Sequence, residues 1–160
     1  MHMSDAGLQI LRELEGCESN VYEDVAGLPT IGVGHLLTRS ELTSGKLWLD
    51  ATATWLDYRE GLSLDDIDCL LRDDLGPAEV AVSTAVIVPL TQSQFDSLVS
   101  FVFNVGSSAF RQSTLLKRLN MGDYADVPTQ LRRWIYAGGR RVPGLVNRRE
   151  QEIGLWEKEI

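Results

Sequence analysis

Cysteine is nearly absent from this 160-residue chain, which has only Cys17 and Cys69. Two are too few for a disulfide framework, and their spacing fits neither a zinc ribbon nor a CxxC redox pair. A reducing site of synthesis follows. Histidine is equally scarce, with only His2 and His35, so imidazole-rich metal sites are not expected, and neither is a cofactor. Long apolar runs are missing too. No stretch approaches the roughly 18 residues of a membrane span, and Met1-His2-Met3-Ser4-Asp5 lacks the basic flank and apolar core of a secretory signal. The chain is expected neither to insert in a membrane nor to export itself, and residues 1–3 read as a possible cloning scar. Internal repeats and low-complexity tracts are also lacking. What is present is an ordinary globular composition, 44% apolar, enough to bury a core in one or two lobes.

Positive charge is in short supply only in part of the chain. The net charge is -8, yet residues 1–100 carry 5 basic and 17 acidic side chains while residues 101–160 carry 10 and 6. The acidic stretch argues against a nucleic-acid binder, which needs a basic footprint. Arg132, Arg133, Arg140, Arg141, Arg148 and Arg149 form a basic patch that could meet a polyanion, but they read first as solvated helix faces.

Punctuation and periodicity divide the chain into elements. Ser4 can cap a helix carrying Leu8, Leu11 and Leu14, and Gly16 can end it. Glu15 then lies in the last turn, where the carbonyl end of the helix dipole favours a protonated carboxyl. Val21–Asp24, the turn-like Ala26–Pro29 and Thr30–His35 read as an antiparallel hairpin. From about Thr43 the pattern turns helical. A longer helix follows Ser63, with Ile67, Leu70, Leu71 and Leu75 on one stripe, and Gly76-Pro77 is expected to kink or break it. Thr91–Gln94 has capping-box spacing before Phe95, Leu98, Val99, Val102 and Phe103, with Gly106 as the stop. Further helices are expected from Ser113 to Gly122, around Leu131 and Trp134 as far as Gly138-Gly139, and after Pro143-Gly144. Trp48, Trp55, Trp134 and Trp156 all fall in helical patterns and read as packing residues, and Cys17 as a buried thiol. The architecture expected is α+β and predominantly helical. Residues 4–62 form a small lobe, 63–86 a connecting helix and 87–160 a helical lobe, and a cleft between lobes is a common ligand site.

Glu15, Asp24 and Thr30 fall on a helix end, a strand or turn, and the returning strand of the hairpin, so one local unit can aim all three at one point. Two carboxyls in unlike surroundings are what glycoside hydrolysis requires, one protonated to donate to the leaving oxygen and one ionised to activate water or attack the sugar. In a chain with 23 carboxylates, such a pair also arises by chance.

The wider string is more specific. Leu14-Glu15-Gly16, Tyr22-Glu23-Asp24, Gly27 and Thr30-Ile31-Gly32-Val33-Gly34-His35-Leu36-Leu37-Thr38 closely resemble the phage-type lysozymes, glycoside hydrolase family 24, of the T-even kind. The likeness continues through Phe101–Gly106, Phe110, Ser113, Trp134, Pro143-Gly144-Leu145 and Arg148-Arg149. The resemblance implies a lysozyme-like two-lobed fold. It also implies a muramidase that cuts the β-1,4 bond between N-acetylmuramic acid and N-acetylglucosamine in peptidoglycan with inversion. On that basis Glu15 is the general acid, Asp24 the carboxylate that orients or activates water, and Thr30 a holder of that water.

Family sugar contacts map onto Leu36, Phe103 and Ser113, although the spacing of Phe103 fits a core aromatic equally well. His35 is implied to be structural, paired with Asp74, and Arg148 or Arg149 to pair with Glu15. The implied setting is a monomeric endolysin made in the bacterial cytoplasm and acting on peptidoglycan glycan strands in the periplasm once a holin grants access. The same chemistry in a phage tail or antibacterial effector, and a non-catalytic peptidoglycan-binding module, are the alternatives.

Overall fold

The computed structural model describes residues 1–158. It is α+β and mostly helical, with three small antiparallel sheets. The chain divides into two compact units, residues 8–76 and residues 1–7 together with the chain from Pro77 onward. The division falls inside the long helix.

Helix α1 spans Asp5–Glu15. The Ser4 hydroxyl accepts from the Gly7 N–H at 3.2 Å as its cap, Leu8 and Leu11 are buried, and the Gly16 N–H donates to the Arg12 carbonyl at 3.0 Å. The expected hairpin forms from β1 (Glu18–Glu23) and β2 (Pro29–Gly32), and a short third strand, β3 (His35–Leu36), is added to it. Tyr22 lies opposite Thr30 and Ile31 opposite His35.

Residues beyond Thr43 do not turn helical as expected. Helix α2 (Arg39–Ser44), with a Thr38/Glu41 capping box, stops at Gly45 in the left-handed conformation. A hairpin of β4 (Lys46–Leu49) and β5 (Thr54–Asp57) follows. The deciding period is 2 rather than 3.6, because Leu47 and Leu49 point inward while Lys46 and Trp48 face out. Trp48 and Trp55 are therefore exposed strand neighbours rather than helical packing residues.

Helix α3 (Leu64–Ala85) buries the expected stripe of Ile67, Leu70, Leu71 and Leu75. Its Ser63 hydroxyl accepts from the Asp66 N–H at 3.1 Å. No break occurs at Gly76-Pro77. Pro77 lies on an exposed face, and buried Leu75, Ala78, Ala81 and Val82 on either side hold the helix while one backbone bond is forgone.

In the second unit, α4 (Gln92–Val105) has the expected Thr91/Gln94 capping box and ends at Gly106. It is followed by α5 (Ser107–Arg111), α6 (Thr114–Asn120), a 3₁₀ turn at Tyr124–Asp126 and α7 (Val127–Leu131). The helix expected to run on to Gly138-Gly139 stops at Leu131. Strands β6 (Tyr136–Ala137) and β7 (Arg140–Arg141) replace its second half. The two glycines between them have φ of +57° and +77°, the conformation a two-residue hairpin turn demands. Trp134 lies outside any helix, its ring 5.4 Å from that of Phe101, whereas Trp156 is buried on the last helix, α8 (Pro143–Trp156).

Arg148 and Arg149 depart from the reading as solvated charge, for both are buried where α8 packs on α4. Glu152 lies between them. It accepts from Arg149 Nη1 at 2.6 Å, Arg148 Nε at 3.2 Å and the Ser100 hydroxyl at 2.9 Å. Burial pushes the Glu152 carboxyl up, and the two guanidiniums oppose it.

The start of the chain is also packed: Met3 is buried, its N–H donates to Glu79 Oε1 at 2.8 Å, and the Ser4 N–H donates to Asp96 Oδ1 at 3.0 Å. Both cysteines are free, and Cys17 is exposed rather than buried. Partial desolvation, then Asp68 and Glu18, raise its thiol pKa against the opposing pull of Arg12.

Candidate active site

A single cleft of about 450 Å³ in the unit of residues 8–76 is lined by Glu15, Tyr22, Asp24, Thr30, Gly34 and Leu36, with Glu23 and Val25 at its edge. The three residues singled out for chemistry are thus brought together by one helix end and one small sheet. Glu15 is the last residue of α1 and half-buried.

Asp24 follows β1 and builds the turn into β2. Its Oδ1 accepts from the Ala26 and Leu28 N–H groups at 2.8 and 2.9 Å. Its own N–H donates to the Leu28 carbonyl at 2.9 Å, and its carbonyl accepts from Gly27. This is the Asx-turn chemistry that makes aspartate a natural turn former, and it fixes the carboxylate before any ligand arrives. Both side-chain bonds fall on Oδ1, and the carboxylate lines the cleft.

Thr30 is buried, and its hydroxyl donates to the same Leu28 carbonyl at 2.9 Å. A hydroxyl has one proton to give. Toward the cleft Thr30 therefore acts as an acceptor.

Gly34 sits in the turn between β2 and β3 with φ of +71°, and a Cβ there would lie 3.7 Å from Glu15 Oε2. The left-handed backbone is what calls for glycine here, since a contact of that length is ordinary packing. Tyr22 was visible in the sequence only as part of the motif. Its phenol is raised above the ordinary tyrosine range by partial burial and then by the negative charge of Glu15, Glu18 and Asp24.

His35 lies on β3, next in the chain to Leu36 of the cleft lining. Its Nδ1 meets Asp74 Oδ2 at 2.8 Å and its Nε2 meets Glu41 at 3.1 Å. Burial opposes the charged imidazolium, but the hydrogen bonds and charge of Asp74 and then of Glu41 win, and the pKa is raised to about 8. The Asp74 partner was expected from the sequence. Glu41, which also closes the α2 capping box by accepting from the Thr38 N–H at 2.8 Å, was not.

The sequence of the family described as phage lysozyme matches this chain over residues 12–152. The chain belongs to the phage lysozyme family. It is 34% identical to the endolysin of Acyrthosiphon pisum secondary endosymbiont phage 1, covering 98% of this chain and 99% of that one. It is 39% identical to the SAR-endolysin of Escherichia phage Mu, over 92% of this chain and 77% of that relative. A crystal structure of a P22 lysozyme mutant superposes with a TM-score of 0.81 at 34% identity, covering 99% of both chains.

The remaining lysozyme-family positions lie in the second unit. Phe103 is half-buried on α4, in keeping with either a core or a ligand-facing aromatic. Ser113 is first of all the cap of α6: its hydroxyl donates to the Phe110 carbonyl at 2.6 Å and accepts from the Leu116 N–H at 3.1 Å. Its proton is spent, so the hydrogen bond expected of it toward a sugar can only be accepted.

Ser113 borders a cleft of about 460 Å³ shared with Gln112, Gln130, Arg133 and Trp134. Gln130 and Arg133 had no counterpart in the recognised motif. They are linked, Arg133 Nη1 donating to Gln130 Oε1 at 3.0 Å. Among the described residues no group of three or more His, Cys, Asp or Glu side chains is arranged to hold a metal ion.

Proposed function

We propose that this peptidoglycan-hydrolysing lysozyme cuts the β-1,4 bond between N-acetylmuramic acid and N-acetylglucosamine by single displacement at the anomeric carbon. The observation that carries the reading is that Glu15, Asp24 and Thr30 line one cleft. Glu15, at the carbonyl end of α1, donates its proton to the leaving glycosidic oxygen. As that C–O bond breaks, a water attacks the anomeric carbon from the opposite face and Asp24 takes its proton, which inverts the configuration. Thr30, with its own proton committed to Leu28, accepts the water's other hydrogen and orients its lone pair.

Leu36, exposed at the cleft edge, offers an apolar surface to a pyranose face, and Phe103 and Ser113 are further sugar contacts. His35 with Asp74 is a structural pair that steadies β3. No helix among the described residues is long and apolar enough to cross a membrane. The enzyme acts as a monomer, needs no nucleic acid, is made in the host cytoplasm and reaches the periplasmic wall when a holin opens the membrane.

The test is muropeptide release from purified Gram-negative sacculi by wild type and by Glu15→Gln, with mass spectrometry of the product ends. Reducing muramic acid ends from wild type are expected. The variant should show kcat lowered about a hundred- to ten-thousand-fold, the range of a lost general acid. Anhydro ends would replace hydrolysis with internal transfer and remove the role given to Asp24.

A further inference from the structure

The active-site cleft is not the largest concavity in the unit of residues 8–76. A hollow of about 490 Å³ lies between α2 and the β4–β5 hairpin, lined by Trp48, Trp55, Lys46, Ser40, Ser44 and Glu41, with Thr38 at its rim. That is within the usual size of a small-ligand site. Two features set it apart from a casual surface dent.

The first is its aromatic wall. Trp48 and Trp55 face each other across the hairpin with ring centroids 5.3 Å apart and planes at 65°. They remain 42% and 64% exposed, although core packing here is supplied from the opposite face by Leu47 and Leu49. Leaving two indoles in water is unfavourable unless something covers them. The Trp48 indole N–H donates to Asp50 Oδ1 at 2.8 Å, which holds that ring in place.

The second feature is position. Leu36 lines the active-site cleft and Thr38 the hollow, and two residues of chain span at most about 7 Å. His35, next to Leu36 in the chain, also pairs with Glu41 of the hollow's wall.

We propose that the Trp48–Trp55 hollow is a second glycan-binding site that grips the peptidoglycan strand beside the active-site cleft. The inference rests on peptidoglycan being the substrate. A pyranose ring has an apolar face of C–H groups that packs on an indole, and a rim of hydroxyl and acetamido groups that suits the Ser40 and Ser44 hydroxyls and the Glu41 carboxylate. Lys46, the cation lining the hollow, suits the carboxylates that muramic acid and its peptides carry. A phospholipid surface is disfavoured because acyl chains would leave the Ser40, Ser44 and Glu41 groups of the lining covered without polar partners from the ligand. Two sites on one polymer raise the effective concentration of the strand at the cleft without any new contact there.

The experiment uses the full chain. Binding to purified sacculi is measured by sedimentation in a Glu15→Gln background, with and without Trp55→Ala, and wild-type clearance of the same sacculi is measured alongside. In parallel, the four indole N–H signals of the otherwise unaltered Glu15→Gln protein are followed by NMR during titration with a tetramer of N-acetylglucosamine. Trp55→Ala is expected to weaken sacculus binding about 3- to 10-fold, the scale of one aromatic contact. Trp48 and Trp55 signals should shift saturably while that of buried Trp156 stays in place.

Equal sacculus affinity together with unmoved Trp48 and Trp55 signals would overturn the proposal while wild-type clearance left the lysozyme reading intact. Failure of wild type to clear sacculi would instead sink that reading. Trp55-dependent sedimentation with phosphatidylglycerol vesicles but not with sacculi, or Trp55-dependent self-association, would assign the hollow to a membrane or to a second copy and likewise overturn it.

Discussion

Thr30 illustrates how a single hydroxyl is constrained by its neighbours. Because it gives its proton to the Leu28 carbonyl, which also accepts from the Asp24 N–H, replacing it still leaves that carbonyl one partner while it removes the acceptor aimed at the cleft. Thr30→Val should therefore fold normally yet lose about 10- to 100-fold in kcat, the scale of one hydrogen bond formed in the transition state, with KM little changed. Thr30→Ser should recover most of it, as measured on sacculi. A Thr30→Val enzyme of full activity would free the water from this residue.

At this scale the sequence was informative because Glu15, Asp24 and Thr30 lie within sixteen positions of one another on short-range elements. It was blind to Tyr22 as a neighbour in the cleft, since cross-strand opposition of Tyr22 and Thr30 depends on a register set by the irregularity between Glu18 and Tyr22. Glu41 was hidden for a similar reason: its capping role is local, but its approach to His35 is made by the fold of β3 against α2.

Elements reveal a consistent split between what is local and what is not. Caps at Ser4, Ser63, Thr91 and Ser113 and the stops at Gly16 and Gly106 were legible, because capping is an exchange between side chain and backbone a few residues apart. The β4–β5 hairpin was not, because Lys46–Leu49 and Thr54–Asp57 are only four residues each and so short a pattern satisfies either period. The same ambiguity hid the end of α7 at Leu131.

Pro77 tests the element scale directly. It lies in the interior of α3 on an exposed face, so Pro77→Ala can restore the missing backbone donor without crowding the core. A gain of about 1 to 3 kcal/mol in denaturant unfolding is expected, and a loss would show that the ring itself packs.

The link from β3 to α2 and α3 through His35 has its own pH signature. Its pKa is raised to about 8 from 6.5, so the stabilisation is complete below about 6.5 and is lost as pH rises through about 8. Its size is about 2 kcal/mol at most. In Asp74→Asn, thermal unfolding between pH 6 and 9 should lose most of this dependence. An unchanged profile would detach the effect from this pair.

For the whole molecule, the charge imbalance meets a substrate that itself carries carboxylates. With a net charge of -8, encounter with the wall is slowed by repulsion at low ionic strength, and screening sets in as the Debye length falls to about 10 Å near 0.1 M salt. Clearance rates should rise from the lowest salt to a maximum at moderate salt, and rise as pH is lowered from neutral. A monotonic fall from the lowest salt would show that basic residues such as Arg132, Arg140 and Arg141 dominate the encounter. Composition carried this expectation, but not the fact that Arg148 and Arg149 are withdrawn from the surface to flank Glu152.

On the proposed route from a reducing cytoplasm to the cell wall, the enzyme's thiols pass through a change of chemical weather. Cys17 is open to solvent, but partial desolvation together with Asp68 and Glu18 raises its pKa, so only a small share is ionised at neutral pH and ready to attack a disulfide or peroxide. Partial desolvation and, after it, those carboxylates act as chemical insulation. They keep an exposed sulfur from becoming a handle for mixed disulfides or covalent dimers during the interval in which the wall is being cut.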